Sequence, residues 1–170
     1  MTTAIPISIP TIKRRMASML YESLLLFGVI FIADALFDVA TQSRHALKLR
    51  DLRQLWLFLV IGVYFLFFWC RSGQTLAMKT WRIRLVGING APPRPGAAAV
   101  RYLFAWMWFL PGMAVDYIFS LRGWPSIAVL AVGMIVWLCT ALLDGERQFL
   151  HDRLARTRLT DAPLAPLAPV

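Results

Sequence analysis

The feature that most limits how this chain can fold is a set of four long apolar stretches separated by basic segments. A helix that crosses the hydrocarbon core of a bilayer needs ~20 mostly apolar residues, and each stretch approaches that length. Hydrophobic residues make up 59% of the chain, more than the roughly 45–50% that is usual in a soluble domain. We therefore predict an all-α membrane protein with about four transmembrane helices, at residues 16–37, 53–70, 97–120 and 125–143.

The first apolar stretch shares features with a secretory signal peptide. Basic residues precede it, and Ala33-Asp34-Ala35 imitates a cleavage site. Its apolar run exceeds the ~7–15 residues of a signal core, so we expect an uncleaved helix. The transmembrane domain is then predicted over residues 13–158, between a flexible N-terminal segment at 1–12 and a Pro-rich disordered tail at 159–170.

The distribution of Lys and Arg predicts the orientation of the chain in the membrane, because short cytoplasmic loops carry an excess of these residues. With four spans, one side holds the two chain ends and the connection between spans two and three. That side contains thirteen Lys and Arg, counting Arg101 at the start of span three, whereas the other side contains five. Both termini are therefore predicted to face the cytoplasm.

The connection between spans two and three contains a pattern that is typical of a strand. Thr80–Val86 alternates between apolar and basic residues, which is the period of a half-buried strand. Asn89-Gly90 follows as a turn signal, and the prolines after it favour a short or broken second strand. We predict a small amphipathic loop, similar to a β-hairpin, on the cytoplasmic face.

The net charge of +9 does not indicate a nucleic-acid partner. The basic residues lie between apolar segments, where membrane topology and attraction to anionic lipid explain them. Cys70 and Cys139 show no CxxC spacing, and His45 and His151 belong on opposite sides of the membrane, so we expect no metal site and no cofactor. Neither a GxSxG nor a complete GxxxxGK[ST] pattern is present, so no enzymatic activity is expected.

Glu22 is a carboxylate inside the first predicted span, where a charged group costs ~2.5–3.5 kcal/mol at the helix centre. Arg15 lies on nearly the same face of the helix, but it is ~10 Å away along the axis and too far for an ordinary ion pair. We therefore expect Glu22 to pair with Arg101 at the inner end of span three. Arg15 is then expected to pair with Asp152 near the end of the chain.

The C-terminal segment RQFLHDRLART, residues 147–157, is predicted to form an amphipathic helix at the membrane surface. His151 and Asp152 would lie there beside an apolar stripe formed by Phe149, Leu150 and Leu154.

Glu22 permits two functional interpretations. In the first, its ion pair with Arg101 fixes spans one and three together. In the second, it is a proton or cation site, because burial favours the protonated form of a carboxyl group. Asp34, Asp38 and Asp116, nearer the outer ends of their spans, would then form the outer mouth of an ion path.

Pro111-Gly112 is predicted to break or kink span three. Broken helices line ion sites in transporters, although a packing kink is a common alternative.

Three segments together resemble the RDD family of small bacterial membrane proteins, named for an arginine and two aspartates. RRMASMLYES is similar to the family pattern Arg-x-x-Ala-x-x-x-Asp, with Ser18 in place of the alanine and Glu22 in place of the aspartate. GQTLAMKTWRIRLVGINGAPPRPGAAAVRYL resembles the family's GQTxGK-type loop, with Ala77 and Met78 before the lysine. LHDRLARTRL resembles the closing His-Asp-x-x-x-x-Thr segment.

The resemblance puts the family arginine on Arg15 and the terminal aspartate on Asp152. It puts the loop motif on four residues, Gly73, Gln74, Thr75 and Lys79. It implies a multi-pass protein of the bacterial cell (inner) membrane, and transport is the activity suggested for such proteins. A titrating Glu22 would make that transport proton- or cation-coupled. Four helices can hardly enclose a pathway, so transport would require a homo-oligomer or another membrane protein. The alternative is an assembly or regulatory subunit that docks a partner or anionic lipid through its basic cytoplasmic face.

Overall fold

The structure is a computed structural model, and it describes residues 9–42, 49–143 and 150–162. Two helices are long and apolar enough to cross a membrane, α1 (Ile12–Thr41) and α2 (Arg50–Ser72). At 1.5 Å per residue they are about 45 and 34 Å long, compared with ~30 Å for the hydrocarbon core. Thr11 caps α1, since its Oγ1 accepts a hydrogen bond from Arg14 N at 3.4 Å. The two helices pack against each other, and α1 keeps most of its apolar side chains exposed.

The third predicted span is broken, as the Pro111-Gly112 pair indicated. It consists of α4 (Pro95–Ala105), a 3₁₀ turn (Trp106–Trp108) and α5 (Leu110–Phe119). The bend between its two halves is 42°. Pro111 lies in the first turn of α5, where its missing N–H costs no hydrogen bond. The break therefore lies next to Pro111, because proline is tolerated at the start of a helix but not in its interior.

The predicted count of four spans is not confirmed. The described residues contain two clear spans, or three if the bent pair crosses the membrane as one. The fourth apolar stretch forms α6 (Trp124–Leu143), in which Trp124–Val136 qualifies only as a shorter apolar helix.

Helices α5 and α6 approach each other through glycine. A Cβ placed on Gly133 would lie 3.2 Å from the backbone N of Gly112, and one on Gly112 would lie 3.0 Å from Leu130 Cα. Small residues at such contacts let two helix backbones come close together, as is common in membrane proteins.

The predicted β-hairpin is wrong. Strand β1 (Ile83–Gly87) forms as expected, but its antiparallel partner is β2 (Thr157–Asp161), with Leu85 opposite Leu159. The turn after β1 exists, since Gly90 has a φ of +72° and Gly87 N donates to Ala91 O at 2.8 Å. The prolines that follow lack the N–H groups that a second strand needs. The chain therefore runs into α4, and a distant segment supplies the second strand.

This sheet also changes the predicted domain boundaries. Residues 159–161, which were expected to begin a disordered tail, belong to β2. Residues 163–170 of that tail and residues 1–8 of the N-terminal segment lie outside the described residues, as do Arg44, His45, Lys48 and Arg147. Helix α1 begins at Ile12, at the end of the segment that was expected to be flexible.

The C-terminal amphipathic helix differs from its prediction as well. Helix α7 spans Leu150–Leu154, and residues 147–149 lie outside the described part of the chain. His151 and Asp152 are buried, whereas Leu154 is exposed. His151 and Asp152 therefore face the protein interior, where Asp152 meets Arg101, whereas Arg153 is exposed.

The start of α1, the beginning of β1 and the end of β2 meet at one end of the helices. Arg14 Nη1 is 2.6 Å from Asp161 Oδ1, and Arg14 Nη2 donates to Trp81 O at 2.6 Å. We call this the sheet end. The main buried cluster lies here, where the sheet packs on α2 and α4; its members include Trp69, Ile83, Leu85, Ala98, Tyr102 and Leu159.

Candidate functional site

Glu22 is buried among three elements near the sheet end. Its side chain accepts hydrogen bonds from Tyr64 Oη on α2, at 2.6 Å, and from Thr75 Oγ1. Both hydroxyls come from residues that adjoin α1, because α2 packs along it and α3 (Leu76–Thr80) begins directly after Thr75. The prediction that Glu22 pairs with Arg101 is therefore wrong, since hydroxyl groups hold the carboxylate.

The GQT motif places Thr75. Gly73 has a φ of +70°, and a Cβ there would lie 2.4 Å from the carbonyl oxygen of Leu85, so only glycine fits. Gln74 Nε2 donates to Ile83 O at 2.8 Å, which fixes the turn to β1. Thr75 is fully buried and caps α3, its Oγ1 accepting from Met78 N at 3.2 Å. The motif thus holds a hydroxyl against Glu22, while Lys79 is exposed at the surface.

Arg101 on α4 forms an ion pair with Asp152 on α7. Asp152 has no exposed surface, and the Arg101 guanidinium lies over the Trp69 ring, with its carbon 4.8 Å from the ring centroid. The prediction that Asp152 pairs with Arg15 is therefore wrong. A buried charge is stable only with its partner, so this pair fixes α7 against α4.

Arg15 is also buried, with 1% of its surface exposed. Its Nε donates to Pro10 O at 3.0 Å, which fixes the segment that leads into α1. The neighbouring Arg14, which sequence reasoning missed, forms an ion pair with Asp161 in the C-terminal segment. The two adjacent arginines therefore hold the segment before α1 and the end of β2 at the start of the helix.

His151 lies next to this ion pair, with Nε2 3.4 Å from Asp152 Oδ1. Burial, and then the positive charge of Arg101, lower the pKa of the His151 imidazole well below its usual value. The ring is therefore neutral at physiological pH. In residues 9–42, 49–143 and 150–162, no three His, Cys, Asp or Glu side chains are grouped to bind a metal ion.

A cavity of about 510 Å³ lies between α1, α2 and α4. On α1 it is lined by Arg15, Ser18, Glu22 and Leu26, which are spaced by three and four residues and so share one face. This stripe is about 16 Å long. Arg101 lines the cavity from α4. Of the four charged residues for which the sequence predicted ion pairs, Arg15, Glu22 and Arg101 therefore border the cavity, and Asp152 does not.

The predicted outer path residues lie elsewhere. Near the far end of α1, Arg53 Nη1 is 2.9 Å from Asp34 Oδ1, and Nη2 pairs with Asp38. Arg53 therefore joins α2 to α1. Asp116 lies on α5 and is partly buried, and its Oδ1 has no hydrogen-bond partner among the described residues.

Comparison with known proteins identifies the family of this chain. Residues 9–156 match the model of the RDD family, which covers α1 through α7. No curated protein and no solved structure matches the chain. The match includes the stripe on α1, the GQT turn and the ion pair between α4 and α7. The chain is a member of the RDD family.

Proposed function

We propose that this RDD family membrane protein acts in proton- or cation-coupled transport, with Glu22 as the coupling carboxylate. The observation that supports this is the setting of Glu22, which is 7% exposed, borders a cavity and is held by two hydroxyl groups. A hydroxyl both donates and accepts hydrogen bonds. Tyr64 and Thr75 can therefore stay bonded to Glu22 in either protonation state, whereas a paired guanidinium would favour only the charged state.

The architecture is compatible with such a path. The 42° break between α4 and α5 resembles the broken helices that line ion sites in transporters. The spans are too few to enclose a pathway alone, so the proposed active form is an oligomer, or a complex with another membrane protein. Family membership supports a location in the cell (inner) membrane, and the Lys and Arg distribution supports an orientation with the sheet end in the cytoplasm.

Ion flux into proteoliposomes tests this function. Glu22→Gln keeps a hydrogen-bond partner for each hydroxyl, an amide oxygen that accepts from one and an amide N–H that donates to the other, but it removes the titrating group. Flux should therefore fall to the level of protein-free vesicles while the variant still inserts and folds. Asp51→Asn is the control, because Asp51 is an exposed carboxylate at the start of α2. The proposal fails if the wild type gives no flux with any common monovalent cation or a proton gradient, or if Glu22→Gln transports normally.

A second function, an assembly or regulatory subunit, is favoured by the basic surface of the sheet end. The exposed cationic residues there are Lys13, Arg71, Lys79, Arg82, Arg94, Arg153, Arg156 and Arg158. Each can contribute about 1 kcal/mol of attraction to an anionic bilayer surface, and together they could equally dock an acidic partner protein.

The two functions differ in their response to surface charge. Lys79→Gln combined with Arg94→Gln should lower recovery of a partner complex from native membranes if docking is the function. Flux per molecule should be unchanged by the same pair of substitutions if transport is the function.

A further inference from the structure

The cavity between α1, α2 and α4 is polar at one end and apolar at the other. Arg15, Arg101 and His151 border it near the sheet end, whereas Leu26 and Ile61 border it deeper along the helices. On α2 the lining residues Ile61, Phe65 and Trp69 repeat every four positions, which gives a continuous apolar wall. Its volume of about 510 Å³ lies within the roughly 300–1,000 Å³ range of ligand sites.

The polar end has a hydrogen-bond donor that the fold leaves unused. Arg101 is 7% exposed, and its Nε has no hydrogen-bond partner among the described residues although Nη1 faces Asp152. A guanidinium has five N–H donors, so the ion pair does not saturate it. Arg15 brings a second guanidinium to the same space. Glu22 also borders the cavity, but its oxygens are occupied by Tyr64 and Thr75.

The cavity opens at the side of the helices. Leu20, Trp106 and Phe109 line it and are also exposed, Leu20 to 75% of its surface. In a helix that crosses a bilayer, a side opening at this level faces the acyl chains of the lipid. A ligand can therefore enter from the membrane with its apolar part already in place.

We propose that this cavity binds one anionic phospholipid, with the headgroup phosphate at Arg15 and Arg101 and one acyl chain along the wall formed by α2. Guanidinium groups bind phosphate through charge-assisted hydrogen bonds, and the apolar end has no group that a free ion could use. The site lies between the helices and differs from the exposed basic surface described above. Its occupation requires no ion flux.

Native mass spectrometry of the full chain tests this site. The protein is taken from nanodiscs that contain phosphatidylglycerol and phosphatidylcholine in equal amounts, and the retained lipids are counted. We expect one phosphatidylglycerol per chain, preferred over phosphatidylcholine by roughly tenfold or more. Both lipids have the phosphate, but the quaternary ammonium of phosphatidylcholine would lie close to two guanidinium groups and be repelled by them. Inorganic phosphate added at millimolar concentration should not displace the lipid, because it gains nothing from the apolar wall.

Two matched pairs of variants locate the lipid. Ala105→Trp fills the cavity from α4, and Leu103→Trp adds the same side chain at a position on that helix that is 56% exposed and outside the lining. Leu26→Trp and Leu24→Trp make the same comparison on α1, since Leu24 is 69% exposed and also outside the lining. The cavity variants should lose the retained lipid, and the controls should keep it.

Three results would overturn the proposal. The first is equal retention of both phospholipids by the wild type. The second is full retention by whichever cavity variant remains folded by circular dichroism. The third is displacement of the lipid by inorganic phosphate at similar affinity, which would indicate a site for a free anion.

Discussion

Arg101 and Asp152 form a buried ion pair that joins α4 to α7, two elements far apart in the chain. Glu22, the other buried carboxylate near the sheet end, is bound to Tyr64 and Thr75. The charged residues of this end therefore form separate contacts, each of which fixes a different pair of segments. This arrangement decides which substitutions will unfold the protein and which will change only its function.

Removing one partner of the buried ion pair should be strongly destabilising. Asp152→Asn leaves the Arg101 charge buried without its counterion, which costs roughly 3–5 kcal/mol of unfolding free energy. The double variant Arg101→Met with Asp152→Asn should recover much of that loss, because no unpaired charge remains. Unfolding in mixed detergent micelles measures both values.

The control for these substitutions is a more exposed ion pair, formed by Arg14 and Asp161, whose side chains are 35% and 27% exposed. Water already screens these charges, so Asp161→Asn should cost no more than about 1 kcal/mol. Equal losses at the two pairs would contradict the view that burial sets the cost.

The sequence correctly indicated which charged residues are buried, but it did not indicate their partners. Arg15, Glu22, Arg101 and Asp152 are all buried near the sheet end, because a charged group in an apolar setting must turn inward. Pairing, however, depends on how each helix is rotated about its axis. The position of Tyr64 opposite Glu22 follows from the packing of α2 on α1, and helical spacing within one segment contains no such information.

Gly73→Ala should destabilise the fold through a specific collision. The added Cβ would lie 2.4 Å from the Leu85 carbonyl oxygen, and Leu85 N also donates to Gly73 O at 2.7 Å. Gly90→Ala is a matched control, because Gly90 has nearly the same φ of +72° but has no atom within 4 Å of its added Cβ. The control should show only the left-handed backbone cost of about 1–2 kcal/mol, and Gly73→Ala should lose more. Melting temperatures that fall equally would rule out the collision.

The stability of the protein should depend on His151 in mildly acidic solution. Its folded-state pKa is well below the value of about 6.5 in the unfolded chain. The unfolded state therefore binds a proton first as the pH falls. Stability is complete above about pH 6.5 and decreases below it, by at most about 1.4 kcal/mol per pH unit, until the folded-state pKa is reached.

His151→Gln should remove this part of the pH dependence. The chain has two histidines, so His45→Gln measures the contribution of the other one. Parallel pH profiles for the wild type and His151→Gln between pH 7 and 5 would show that the imidazole is not held neutral by its surroundings.

The sheet shows a second limit of sequence reasoning. The alternation of Thr80–Val86 predicted β1 correctly, because the period of a half-buried strand is local. The partner strand lies beyond α4, α5 and α6, and no local turn connects it. Proximity in the chain favoured a hairpin. Pro92 and Pro93, however, lack the N–H groups that a strand donates to its neighbour, and β1 pairs with Thr157–Asp161.

Deleting β2 should therefore unfold the sheet end, although the family match stops at residue 156. A chain that ends at Arg156 lacks the ladder to β1 and also Leu159, which packs in the buried cluster with Leu85. Loss of a buried leucine alone typically costs 2–5 kcal/mol, and Ile83 and Leu85 would become exposed. A chain that ends at Ala162 keeps the whole strand and is the control. Limited proteolysis followed by mass spectrometry should show rapid cleavage between Thr80 and Arg94 only in the shorter chain, and equal resistance of the two would mean that β1 is held without its partner.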